Sequence, residues 1–80
     1  MGSDLSPEVL GWVEQFAAAT GTEAPTEDEI DALLTVAGVA AHASARQAAP
    51  LTTWLAGKAG ISPEDALALA RTLAQDEEPA

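Results

Sequence analysis

His42, Arg46, Thr52 and Thr53 are the residues whose types and spacing offer chemistry. They lie in one stretch, "AHASARQAAPLTT", at residues 41–53. His42 and Arg46 stand four apart and share one side of a helix. Thr52 and Thr53 fall where the first turn of a following helix is expected, and the free N–H groups of such a turn attract anions. An imidazole, a guanidinium and two hydroxyls can together hold a phosphate or a carboxylate, provided that the link from Gln47 to Pro50 turns back sharply. The same residues have a local use. The threonines can cap the third helix, and His42 and Arg46 can tie down exposed carbonyls of the second. They can also form a face on which a protein partner docks, with Lys58 and Trp54 as secondary members. The residue types leave these three readings open.

Catalysis is poorly supported. Ser44 lies two residues from His42, so a helix points the two apart, and a nucleophile needs its base beside it. No pair of acids stands within an apolar stripe, where a raised pKa would suit acid–base work. There is one histidine and no cysteine, which removes thiolate chemistry and leaves no plausible zinc set. The acidic run "EDEID" at residues 27–31 lacks the glycine turn of a calcium loop. No metal, cofactor or enzymatic activity is expected.

Four helices are expected to position these residues, near 7–19, 27–46, 50–59 and 63–75. Ser6-Pro7-Glu8 and Ser62-Pro63-Glu64 each supply a cap, a first-turn proline and a first-turn acid. Thr26 and Glu29 have the spacing of a capping box. Pro50 marks the start of the third helix, and Gly21 and Gly60 suit helix ends. The apolar spacing predicts buried faces. These are Val9–Trp12–Val13–Phe16 on the first helix and Ile30–Leu33–Leu34–Ala37–Ala41 on the second. On the third and fourth they are Leu51–Trp54–Leu55 and Ala66–Leu69–Ala70–Leu73. Trp12 and Trp54 read as core, with an edge of either available to floor a pocket beside His42. Gly38, inside the second helix, reads as a point where another helix passes closely. Short links make these four elements a compact all-α four-helix bundle, one domain over residues 1–80, frayed at 1–5 and 76–80.

Composition agrees. Alanine, the best helix former, supplies 19 of 80 residues, while Val and Ile total six and tyrosine is absent, which disfavours sheet. Formal net charge is -10. Without clustered Lys and Arg, nucleic acid and anionic membranes are disfavoured as partners. No apolar run approaches a membrane span and no signal peptide is evident, so a cytoplasmic protein is expected. The charges are also unevenly placed. All 13 acids lie outside Ala32–Pro63, which holds His42, Arg46 and Lys58. Helix dipoles account for the acidic helix starts but not for the length of this acid-free segment, which suits either a buried helix pair or a face for an acidic partner.

An acidic four-helix chain of this length invites comparison with acyl carrier proteins, but no serine stands at the start of the second helix to carry their prosthetic group. The segments "GWVEQFAAATG" and "IDALLTVAGVAAHASARQAAPLTTWLAG" resemble a small uncharacterised helical domain family of actinobacteria. Its members occur alone or fused to nucleotidyltransferase domains resembling molybdenum cofactor guanylyltransferase. The resemblance covers roughly residues 5–75. His42, Arg46 and "AAPLTT" carry it most specifically, with Trp12 as a second marker. Gln47 stands where that family favours proline, and Trp54 where it favours phenylalanine. The resemblance implies a non-catalytic accessory module whose protein partner is a nucleotidyltransferase of molybdenum cofactor metabolism. The alternative function is binding of a small phosphate- or nucleotide-like anion at the junction of the second and third helices.

Overall fold

A computed structural model describes residues 5–77, with side chains to residue 75. It is all-α, with four helices and no strand among the described residues: α1 (Pro7–Thr20), α2 (Glu27–Ala43), α3 (Ala48–Ala59) and α4 (Pro63–Glu77). Most of the expected ends are in place because their caps form. The Ser6 hydroxyl accepts from the Val9 N–H at 3.3 Å, and the Ser62 hydroxyl from the Asp65 N–H at 3.0 Å. Thr26 and Glu29 close a capping box, with bonds of 2.8 and 3.1 Å. Gly21 and Gly60 end α1 and α3 at φ 73° and 76°, a conformation that a side chain would strain. The frayed ends expected at 1–5 and 76–80 fall mostly outside the described residues, and within them α4 continues to Glu77.

One junction differs from expectation. α2 ends at Ala43 rather than Arg46, and α3 begins at Ala48 rather than Pro50. Ser44 leaves helical geometry at φ -131°, ψ -95°. The Ala48 and Ala49 N–H groups bond back to the Ala45 and Arg46 carbonyls at 2.8 and 3.1 Å, which starts α3 early. Pro50 is accommodated because N–H groups in a first turn have no intrahelical acceptor to lose. The bias of a pre-proline residue against helix yields at Ala49 to these turn bonds.

The helices pack unequally. α2 is the hub and packs against α3 and α4, whereas α3 with α4, and α1 with any other helix, form no extended contact. The end of α2, the start of α3 and the end of α4 line one depression, so α3 runs antiparallel to α2 and α4 parallel to it. Val36, fully buried, forms the core with Ala56 and Ala66, against which Leu67 and Ala70 pack. The other buried residues among those described are Ala17, Ala32 and Ala40.

These positions correct the expected faces. On α2 the buried stripe is Ala32–Val36–Ala40, and Leu34 is exposed. Trp12 and Trp54, read as core, are 64% and 62% exposed, and Phe16, Leu51, Leu55, Leu69 and Leu73 are exposed as well. Helices meeting at alanines approach closely and a bulky side chain cannot enter such a seam, so Leu55, Leu69 and Leu73 stand at its edge. Leu51 and Trp54 lie on the outer side of α3, and Trp12 and Phe16 lie on α1, which makes no extended contact with another helix. These side chains contribute to an exposed area of 6050 Å², about 1,500 Å² more than expected for a compact monomer of this mass.

Gly38 also departs from its expected role. It is exposed, and a Cβ built on it meets nothing within 4 Å. No helix passes it, so Gly38→Ala removes only the entropic cost of glycine. The substitution is expected to stabilise the fold by about 0.5–1 kcal/mol, seen as a rise of several degrees in Tm. A fall in Tm would mean that another chain or helix uses the notch.

Candidate functional site

The four candidate residues end up in different surroundings. His42 stands exposed in the last turn of α2. Arg46 lies outside α2, in the turn that follows, and is also exposed. The two therefore do not share a helical face, because α2 stops between them. Thr52 and Thr53 sit in the second turn of α3, not its first, since α3 starts at Ala48. The Thr53 hydroxyl donates to the Ala49 and Pro50 carbonyls at 3.2 and 3.0 Å. This is back-bonding within the helix, and neither threonine caps it: Gln47 occupies the cap position without a side-chain bond. Thr52 is half-buried and faces the body of the protein, in the walls of two depressions. His42, Arg46 and Thr53 line neither of them.

What the structure does bring together is apolar. Leu51, Trp54 and Lys58 fall at i, i+3 and i+7 on α3, opposite the buried Ala56. Lys58 Nζ lies 5.0 Å from the centre of the Trp54 ring, in cation–π range. The pairing orients both side chains on an exposed face. Leu51 and Trp54 are more than 60% exposed, so this face is an apolar strip with a cation at one end and Arg46 beyond the other. No acid occurs between Ala32 and Pro63 to oppose those cations.

The edge of α3 beside this strip forms one wall of a groove. Leu55, Ala56 and Ala59 face Ala66, Leu69, Ala70 and Leu73 of α4, with Ile61 at one end and Thr52 at the other, around a space of about 410 Å³. The groove exists because α3 and α4 both pack on α2 and not on each other. Sequence reasoning missed it, having assigned Leu69 and Leu73 to the core. The signal available was an apolar stripe on α4 wider than a seam of alanines can bury. Trp12 does line a depression, with Phe16 and Pro25 among its neighbours, but this lies along α1 and not beside His42.

Among the described residues no three His, Cys, Asp or Glu side chains are grouped to hold a metal ion. Nor is any described helix long and apolar enough to cross a membrane.

The chain matches one family model over residues 5–80, that of a domain of unknown function, DUF6457. It belongs to the DUF6457 family. The match spans all four helices. No curated protein and no solved structure gives a significant match.

Proposed function

We propose that this DUF6457 domain is a non-catalytic interaction module that docks a protein partner on the outer face of α3. The observation that carries this reading is the exposed Leu51–Trp54 strip with Lys58 held on the Trp54 ring. Tryptophan is among the side chains most enriched at the energetic centres of protein interfaces. α3 itself carries no acid and its outer face is flanked by Arg46 and Lys58, so an acidic partner meets cations there on a strongly acidic chain. The anion-binding alternative draws less support, because the Thr53 hydroxyl is engaged within α3 and Thr52 lies in apolar walls.

The resemblance to domains fused to nucleotidyltransferases directs the choice of partner. A guanylyltransferase-like nucleotidyltransferase of molybdenum cofactor metabolism from the same genome is the protein to test first, by calorimetric titration. Trp54→Ala is expected to weaken binding roughly 30-fold. Arg46→Glu with Lys58→Glu is expected to weaken it at least about tenfold, and affinity should fall as salt rises. Binding that is insensitive to salt and to all three substitutions would remove this face as the docking surface.

A further inference from the structure

Two apolar features remain that the outer face of α3 does not use. The first is a ridge on α1, where Val9, Trp12 and Phe16 stand 43%, 64% and 60% exposed on one side of the helix. Trp12 and Phe16 already touch, with ring centres 6.4 Å apart. The second is the groove between α3 and α4, walled by Leu55, Leu69 and Leu73 with Ile61 at its end. The two match in length. Val9 to Phe16 and Ala66 to Leu73 each cover eight residues, seven rises or about 10 Å of helix, and both carry apolar residues at i, i+3, i+4 and i+7.

Within one chain they do not meet. α1 attaches at the N-terminal end of α2, where Leu5 and Leu10 approach Pro25 and Ile30. Both ends of the link are held. At Gly21 the N–H bonds back to α1, as does that of Thr22 to Ala17 at 2.9 Å, and Thr26 is closed by its capping box.

We infer that the chain forms a two-fold dimer in which α1 of each copy lies in the α3–α4 groove of the other. The areas suit this. Val9, Trp12 and Phe16 with Leu55, Ile61, Leu69 and Leu73 expose on the order of 800 Å² per copy, so reciprocal exchange hides at most about that area, within the range of a standard interface. Reciprocity also closes the assembly; one-way docking of ridge into groove would continue into filaments. The exchange covers large side chains in a domain where Val36 is the only buried residue larger than alanine among those described. It leaves Leu51, Trp54 and Lys58 free, so it stands apart from the docking face on α3. The two also respond oppositely to salt. Chains of charge -10 repel each other, and an apolar contact between them tightens as salt screens that repulsion.

Sedimentation equilibrium of the full chain tests the inference. The expected mass is twice 8.1 kDa, with a dissociation constant that falls as salt rises. Phe16→Glu on the ridge and Leu69→Glu in the groove are each expected to raise that constant roughly 100-fold or more, since each damages both exchanges. An equimolar mixture of the two variants is expected to recover much of the dimer, because one exchange in the mixed pair joins an unaltered ridge to an unaltered groove. Should either variant lose helical circular dichroism alone, its recovery in the mixture reads the same way. A wild-type monomer at all concentrations, larger assemblies, variants that pair as tightly as the wild type, or a mixture no better than its components would each overturn the inference.

Discussion

Val36→Asp is expected to abolish the folded state at 25 °C. Val36 is the only buried side chain larger than alanine among the described residues, and it stands at the centre of the cluster that joins α2 to α3 and α4. A carboxylate there would lose its hydration without gaining a partner, since Arg46, Lys58 and Arg71 are all exposed. The effective cost of burying an unpaired charge is several kcal/mol, and protonating the group instead still leaves a polar pair in apolar surroundings. A single core in a domain of this size rarely supplies more than about 3–5 kcal/mol, so the penalty equals or exceeds what is available. Far-UV circular dichroism reads the result directly, and a helical signal with a cooperative melt near that of the wild type would show that Val36 is not where the helices meet. The milder Val36→Ala loses two methyl groups and leaves a small cavity, at about 2 kcal/mol.

Ala66→Phe is expected to lower Tm by about 10–20 °C, through overpacking rather than loss of burial. Ala66 is 4% exposed and belongs to the same cluster as Val36 and Ala56. A phenyl ring cannot enter a seam built at alanine spacing, so α4 must move away from α2 or the ring must leave. Overpacking of this kind typically costs about 1–3 kcal/mol. Leu69, three residues on and 51% exposed, supplies the contrast. Leu69→Ala should change Tm little in protein dilute enough to be monomeric, and more as concentration rises if the groove is occupied by a second copy. A thermal melt of Ala66→Phe within a few degrees of the wild type would contradict the close approach of α2 and α4.

The helices were legible because their signals are local. A serine before a proline, Thr26 three residues before Glu29, and glycine after an apolar run act over one turn and need nothing from the rest of the chain. The end of α2 was less legible because it is a competition. The Ala45 and Arg46 carbonyls accept from the start of α3, and the two helices bid for the same residues. That shift decided the fate of the candidate site. Ending α2 three residues early took Arg46 off it, and starting α3 two residues early carried Thr52 and Thr53 past its first turn, where their hydroxyls no longer accompany free N–H groups.

The buried faces were misread for a different reason. Hydrophobic periodicity reports which side chains favour burial, and on that measure Trp12, Phe16, Leu69 and Leu73 belong inside. Which side chains are buried within one chain depends on which helices meet and how closely: alanines set the distance between α2 and its neighbours, leaving Leu69 and Leu73 at the edge, and α1 meets no helix extensively, leaving Trp12 and Phe16 uncovered. The difference between the two is the surface from which the dimer is inferred.

The sequence by itself determined the all-α class, the four helices and most of their caps, and the acid-free middle, because these follow from local propensity and composition. Only the tertiary structure decided which face of each helix is buried, where Arg46 and the threonines stand, and that α3 and α4 leave a groove. Those depend on the packing of α2 against its neighbours, which no local signal encodes.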